Sequence, residues 1–186
     1  NNMINIGFIG TGLMGLPMAK NIFKSGYKLI AYNRSKEKLE PLKECGVQIG
    51  SSIGYLVSSS EVVITMLTDD KAVDEVIGSK EFIDNLKAGS TVVDMSSTKP
   101  TTAIKHSNKL KLKNIDFLDA PVSGGTIGAK EASLAIMVGG EQSVFNKVNK
   151  ILKTMGNPTL VGPSGSGQVS KLANQIIVGL TIGAVA

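Results

Sequence analysis

Short apolar runs rich in β-branched residues alternate with helical patterns along most of this chain. Seven runs are predicted as strands, at residues 4–9, 28–32, 62–67, 91–94, 117–119, 134–138 and 159–161. Helical patterns lie between them, at residues 13–25, 36–45, 71–77, 81–86, 101–111 and 143–155. Strands that alternate with helices of roughly 10–15 residues indicate crossover connections and a mostly parallel sheet. The sequence therefore predicts a doubly wound α/β domain over residues 1–163.

The pattern changes from residue 164 onward. Residues 162–167 are rich in Gly, Ser and Pro, which is typical of a linker or hinge. Residues 168–186 carry one long helical pattern whose second half is apolar on most sides, as in a helix that packs against another element. We therefore expect residues 164–186 to be the beginning of a second domain, the remainder of which is absent from this sequence.

Composition excludes several functional classes. The chain has one Cys and one His, so it cannot build a disulfide scaffold, a zinc finger or a histidine cluster. The formal net charge is +5, but only 4% of residues are aromatic, which leaves little surface for stacking nucleic-acid bases. The longest apolar stretch, residues 176–186, is shorter than the roughly 20 residues of a membrane helix. We expect a cytoplasmic protein that needs no metal and binds neither nucleic acid nor membrane.

A glycine-rich motif follows the first predicted strand and opens the first predicted helix. It consists of Gly10, Thr11, Gly12, Leu13, Met14 and Gly15. In dinucleotide-binding folds the first Gly permits a tight turn, the second lets the backbone approach a pyrophosphate, and the third lets helix and strand pack closely. The helix N-terminus adds N–H groups and the positive end of its dipole. The motif in this position predicts a Rossmann-like domain that binds a dinucleotide.

The end of the second predicted strand favours NADP(H) over NAD(H). NAD-specific sites usually carry an acidic residue there, about 20 residues beyond the glycines, which binds the ribose 2′-OH. This chain has Asn33, Arg34 and Ser35 instead. Without a carboxylate nothing repels a 2′-phosphate, and the Arg34 guanidinium can bind one through two N–H groups. The alternative is an Arg34 that is merely solvent-exposed or stacks on the adenine.

Lys171 is the strongest candidate for the proton transfer that accompanies hydride transfer to or from a carbonyl carbon. Lys171, Asn174 and Gln175 are three and four residues apart, so they share one face of the long helix. Burial and a cationic nicotinamide would lower the pKa of Lys171 toward about 7–8, which suits a general acid–base. Without that context, a Lys with two amides is an ordinary polar helix face.

A run of small residues after a predicted strand is a second candidate segment. It spans residues 119–125 and includes Ser123, Gly124 and Gly125. Such a run can form a nest of backbone N–H groups that binds a carboxylate, with the Ser123 hydroxyl at the same place. The alternative for this segment alone is an ordinary glycine turn.

Four separated blocks together resemble the β-hydroxyacid dehydrogenase family, which includes 3-hydroxyisobutyrate dehydrogenases and tartronate semialdehyde reductases. The blocks are residues 7–15 with Met18 and Ala19, then 94–97, 119–125 and 165–174, and they span nearly the whole chain. The resemblance implies an NAD(P)-dependent oxidoreductase acting on a small β-hydroxy acid or its semialdehyde. It also implies that residues 164–186 are the first part of the long helix of an all-helical second domain, and that the full-length protein is a homodimer or homotetramer.

The resemblance also assigns roles to cofactor-binding residues. Met66 and Leu67 match the strand end that lines the adenosine side of the cofactor, although Thr68 stands where Pro is usual. Ser97 matches the small hydroxyl residue beside the nicotinamide. The Asn-Arg-Ser sequence at 33–35 is similar to that of NADP-using members.

Substrate-binding and catalytic roles follow from the same resemblance. Ser123, Gly124 and Gly125 match the loop that holds the substrate carboxylate. Lys171 matches the catalytic lysine, and Asn174 matches the substrate asparagine. Gln175 departs from the Asn-Asn pair of many 3-hydroxyisobutyrate dehydrogenases and is similar to tartronate semialdehyde reductases.

Other interpretations stay open. A non-catalytic cofactor-binding or oligomerisation module can be built on the same fold, although the presence of Lys171 favours an enzyme. An imine reductase would not be expected to carry Lys at that position. Glyoxylate and succinic semialdehyde are alternative substrates. We expect Cys45 to be a packed side chain and His106 to be a surface side chain, neither with a functional role.

Overall fold

The computed structural model describes residues 3–185, with no side-chain description at positions 181, 182, 184 and 185. The elements, in chain order, are β1 (Asn5–Ile9), α1 (Gly15–Lys24), β2 (Lys28–Tyr32), a 3-10 helix (Lys36–Leu39), α2 (Glu40–Glu44), β3 (Gln48–Ile49), α3 (Ile53–Ser58), β4 (Val62–Thr65), α4 (Asp70–Ile77), α5 (Lys80–Asn85), β5 (Thr91–Asp94), α6 (Pro100–Lys111), β6 (Asp116–Asp119), β7 (Val122–Ser123), α7 (Gly125–Glu131), β8 (Leu134–Gly139), α8 (Gln142–Leu152), β9 (Gly156–Gly162) and α9 (Ser166–Val185).

The strands form one sheet in the order β3-β2-β1-β4-β5-β6-β8-β7, with β9 paired to β8. The six strands from β3 to β6 are parallel neighbours, and β8 is antiparallel to β6 and β7. The chain builds outward from β1 on one side through β2 and β3, and on the other through β4, β5 and β6. The strand order therefore reverses beside β1, and open α/β sheets bind ligands in the crevice at such a point. The predicted Rossmann-like, doubly wound α/β fold is confirmed.

Two apolar cores cover the two faces of the sheet. Val62 and Ile64 enter the core that packs against α1 and α8, whereas Val63 enters the core that packs against α3, α4, α5 and α6. Successive strand side chains point to opposite faces, so a strand covered on both faces must be apolar at every position. This double burial explains why the central strands were recognisable as continuous apolar runs.

Two short strands and two helices were not expected from the sequence. β3 and β7 have two residues each, too few to show a period. Helix α3 begins at a cap in which the Tyr55 N–H donates to Ser52 Oγ. Helix α7 begins at Gly125 and contains Gly128, residues with poor intrinsic helix propensity. A Cβ at Gly128 would lie 3.2 Å from the Leu134 side chain, so packing against the following strand β8 determines that position.

The expectations for the lone Cys and His were both wrong. Cys45 is exposed, just after α2. His106 is buried on α6, where its Nε2 lies 2.7 Å from Asp74 Oδ1 on α4. Burial lowers the pKa of His106, against the opposing effect of the Asp74 carboxylate. The buried His106 side chain therefore links α6 to α4.

The segment predicted as a linker or hinge is packed. Residue Gly162 ends β9, Gly165 and Gly167 are buried, and α9 begins at Ser166. The division into two domains at residue 163 stays a prediction. Within residues 3–185, no helix combines the length and apolar character needed to cross a membrane.

Candidate functional site

The predicted cofactor residues lie at one edge of the sheet. Strands β1, β2, β4, β5 and β6 are parallel, so their carboxyl ends and the loops that follow them lie together. The glycine-rich loop connects β1 to α1, and the loops after β4 and β5 contain Met66, Leu67 and Ser97. Because the strand order reverses between β2 and β4, these loops border the crevice beside β1.

The three glycines of the motif have different surroundings. A Cβ at Gly10, where φ is +104°, would overlap the Met66 carbonyl oxygen, and a Cβ at Gly15 would overlap the Gly10 carbonyl oxygen. The first and third glycines are therefore required by the packing of the loop itself. A Cβ at Gly12 would meet nothing within 4 Å. The open space beside Gly12 and the tight packing below it fit a dinucleotide pyrophosphate.

Thr11 and Asn33 fasten the glycine-rich loop to the end of β2. The Thr11 N–H donates to Asn33 Oδ1 over 2.9 Å, and the Thr11 hydroxyl donates to the Lys38 carbonyl oxygen over 3.0 Å. Asn33 Nδ2 in turn donates to the Ser35 carbonyl oxygen over 3.0 Å. Both polar ends of the Asn33 side chain thus bind protein. The Asn33 side chain therefore shapes the glycine-rich loop, a role that the sequence did not indicate.

The remaining residues of this region differ in exposure. Arg34 is exposed and forms no ion pair with any described residue, so its guanidinium is available to an anion. Ser35 is half-buried and precedes the 3-10 helix without capping it through its side chain. Leu13 is 84% exposed, whereas Met14 packs against the core.

A buried carboxylate organises the loops after β4 and β5. Asp94 Oδ1 accepts hydrogen bonds from Thr65 Oγ1 over 2.9 Å and from the Ser96 N–H over 3.1 Å. Ser96 Oγ accepts from the Leu67 N–H over 2.8 Å. Burial raises the pKa of Asp94 to about 6, despite the opposing hydrogen bonds from Ser96 and Thr65. These hydrogen bonds hold Ser96 within the structure, whereas Ser97 is exposed.

A second buried carboxylate, Asp119 at the end of β6, holds the beginning of α9. Its Oδ1 accepts from the Gly165 N–H over 2.8 Å, and its Oδ2 accepts from the Gln168 N–H over 3.0 Å. Burial raises the pKa of Asp119, and these backbone hydrogen bonds oppose the rise. The first turn of α9 is therefore fixed at the carboxyl end of β6.

Lys171 lies one helical turn beyond Gln168 and shares its face of α9. It is half-buried, and burial lowers the pKa of its ammonium group. Asn174 and Gln175 follow on the next turn and are exposed. The structure thus brings Lys171 to the edge that carries the predicted cofactor loops and leaves two amides accessible beside it.

The predicted carboxylate loop continues beyond the end of β6. Asp119 pairs with Gly139 at the end of β8, and Ser123 pairs with Ala135 nearer its start. Strand β7 therefore extends past the carboxyl edge of the parallel strands. Gly124 and Gly125 are exposed with φ of +140° and +64°, conformations that favour glycine.

Sequence reasoning gave no role to Asp94, Asp119 or Gln168. A signal was available for the two acids, because each closes a predicted apolar strand at the edge where the glycine-rich loop lies. Gln168 had no such signal. Among residues 3–185, no group of three or more His, Cys, Asp and Glu side chains could hold a metal.

Comparison with known proteins agrees with this geometry. Residues 5–169 match the model of the NAD binding domain of 6-phosphogluconate dehydrogenase. The chain is 43% identical over 175 residues to the uncharacterized oxidoreductase YkwC of Bacillus subtilis, covering 93% of this chain and 61% of that protein. It is 40% identical over 184 residues to the 2-hydroxy-3-oxopropionate reductase of Escherichia coli, covering 98% of this chain and 63% of that protein.

A solved structure of Mycobacterium tuberculosis 3-hydroxyisobutyrate dehydrogenase superposes with a TM-score of 0.91 at 29% identity, covering 95% of this chain and 60% of that one. This chain spans about six-tenths of the length of the first two relatives. The resemblance to hydroxyacid dehydrogenases is confirmed by these similarities. Because the family model matches most of the sequence, the chain belongs to the family of the NAD-binding domain of 6-phosphogluconate dehydrogenase.

Proposed function

We propose that this chain is the cofactor-binding part of an oxidoreductase that transfers a hydride between NADP(H) and a small β-hydroxy acid or its semialdehyde. The 3-hydroxyisobutyrate and tartronate semialdehyde classes are the proposed substrates. The observation that carries the proposal is Lys171, half-buried, with a lowered pKa and fixed by the first turn of α9 at the edge of the cofactor loops. The relatives named as hydroxyacid dehydrogenases support the same chemistry.

The cofactor residues act by binding and orientation. Gly12 leaves room for the pyrophosphate, and Gly10 and Gly15 allow the loop to close beneath it. Met66 and Leu67 line the adenosine side, and Ser97 lies beside the nicotinamide. When bound, the dinucleotide supplies the hydride for reduction or accepts it in oxidation.

Lys171 and the loop after β6 act on the substrate. In reduction, the Lys171 ammonium donates a proton from Nζ to the carbonyl oxygen as the hydride reaches the carbonyl carbon, which yields the hydroxy acid. In oxidation, neutral Nζ accepts the hydroxyl proton. Ser123 and the N–H groups of Gly124 and Gly125 bind the substrate carboxylate, while Asn174 and Gln175 orient its oxygens.

The test is oxidation of NADPH and NADH by the full-length protein with tartronate, succinic and methylmalonate semialdehydes and glyoxylate in parallel. We expect turnover with a carboxylate-bearing semialdehyde and with NADPH preferred. Tight cofactor binding without turnover of any of the four would contradict the proposal. It would instead support a non-catalytic module on the same fold.

Cofactor preference is tested at Arg34. We expect Arg34→Gln to weaken NADPH binding by about 10- to 100-fold, because hydrogen bonds to charged groups contribute roughly 1.5–3 kcal/mol each. NADH, which has no 2′-phosphate, should bind equally well to both proteins. The measurement is fluorescence titration of both cofactors. Lys113→Gln, an exposed cation outside the site, is the control for lost net charge. Equal affinities for NADPH and NADH in the unmodified protein would refute the preference.

A further inference from the structure

We propose that Gln168 is a positioning residue, whose side chain fastens the loop after β5 to the first turn of α9 and so sets Lys171 relative to Ser97. The inference rests on the proposed function, because the consequence of this placement is proton transfer by Lys171. Gln168 itself touches neither the proposed substrate nor the proposed cofactor.

The two hydrogen bonds of the Gln168 amide enclose Ser97 from both sides. Gln168 Nε2 donates to the Ser96 carbonyl oxygen over 2.7 Å, and Gln168 Oε1 accepts from the Thr98 N–H over 3.0 Å. The residues before and after Ser97 are thus held by one side chain. The Gln168 amide supplies the donor for one backbone group and the acceptor for the other.

The contact with Ser96 is buried, and the contact with Thr98 is partly buried. Gln168 is 1% exposed and Ser96 is completely buried, so water cannot replace the hydrogen bond between them without entering the packed edge. Unpaired buried backbone groups are costly, which favours the one side-chain conformation that satisfies both. The distance between the loop and the helix is therefore narrowly defined.

The position of α9 itself has a separate anchor. The Gln168 and Gly165 N–H groups bind the Asp119 carboxylate, and neither bond uses the Gln168 side chain. Removing the amide should therefore loosen residues 97 and 98, while Ser96 keeps its hydrogen bonds to Asp94 and Leu67 and α9 stays attached to β6. This separation distinguishes a positioning role from general support of the fold.

The experiment compares Gln168→Met with unmodified full-length protein and with Gln142→Met, an exposed amide on α8. Met keeps the length of the side chain and removes both hydrogen bonds. We expect kcat to fall by about 100-fold, the usual cost of a misplacement of about 1 Å caused by a residue remote from the chemistry. KM and cofactor affinity should change less than about threefold. Hydrogen exchange in the peptide containing Ser97 and Thr98 should accelerate, because the Thr98 N–H loses its acceptor. Gln142→Met should change none of these.

Two results overturn the positioning role. One is accelerated exchange with unchanged kcat, which would mean that the contact has no effect on the reaction. The other is loss of cofactor binding together with a general fall in thermal stability, which would mean that Gln168 only supports the fold.

Gln168→Leu serves if the Met variant does not fold. Leu also lacks both hydrogen bonds and places no charge at this buried position, so we expect a fall in kcat of similar size. Unchanged kcat in this variant also counts against the role. The proposed function itself fails if the unmodified protein turns over none of the semialdehydes. In that case the positioning role is wrong as well.

Discussion

Replacing Lys171 with Met should lower kcat by about 10²- to 10⁴-fold, the usual contribution of a general acid–base. Met retains most of the side-chain volume and the apolar contacts of the half-buried stem, and removes only the group that carries the proton. The dissociation constants of NADPH and NADH should stay close to those of the unmodified protein. The measurement is steady-state turnover together with fluorescence titration of cofactor, with Lys150→Met on the surface of α8 as the control.

The pH dependence of the unmodified protein checks the same assignment. Burial lowers the pKa of Lys171, and reduction needs the protonated amine. The rate of reduction should therefore fall as pH rises through this lowered pKa, while the rate of oxidation rises over the same interval. Turnover retained by the Met variant would exclude Lys171 as the acid–base.

Gly12→Ala and Gly15→Ala should affect different properties although each adds one methyl group: the first should weaken cofactor binding, and the second should destabilise the fold. At Gly12 the methyl meets nothing in the protein, so stability should be unchanged, but it occupies the space proposed for the pyrophosphate. An overpacked contact costs about 1–3 kcal/mol, so cofactor affinity should fall roughly 5- to 150-fold. At Gly15 the methyl overlaps the Gly10 carbonyl oxygen, so the folded protein should lose about 1–3 kcal/mol of stability.

Thermal unfolding without cofactor and titration with NADPH separate the two effects. Gly15→Ala should lower Tm by roughly 2–4 °C for each kcal/mol lost in a domain of this size. Each variant is the matched control for the other. Normal NADPH affinity in Gly12→Ala would show that the cofactor does not pass over this glycine.

The fold was predictable where one local pattern determined it. The apolar run at 62–64 is continuous because its neighbours enter different cores, and this double burial is visible in the sequence. Helix α7 was not predictable, because Gly125 and Gly128 favour a turn locally and the Leu134 side chain that packs beside Gly128 is identified only in three dimensions.

The candidate site was predictable to a similar degree. Spacing placed Lys171 and Asn174 on one helix face, but could not show that Lys171 is half-buried. Asn33 was predicted as a cofactor-binding residue because it replaces a carboxylate, but the sequence did not show that its amide binds Thr11, 22 residues away. Gln168 binds backbone groups 70 and 72 residues earlier. Such pairings depend on strand register, which a single sequence does not specify.

The anchoring of α9 at its first turn has a consequence for recombination between relatives. In a chimera joined within the Gly- and Ser-rich segment, residues 162–167, Asp119 would come from one protein and part of the backbone that it binds from the other. The first turn of α9 could then start in a different position. With a junction placed after Gln175, Asp119 and the first turn of α9, the Ser97 loop and Lys171 would all come from the same protein. The sequence that follows could then be exchanged for that of a relative while the proposed catalytic lysine keeps its anchor, which makes the middle of a helix a better boundary than the Gly- and Ser-rich segment.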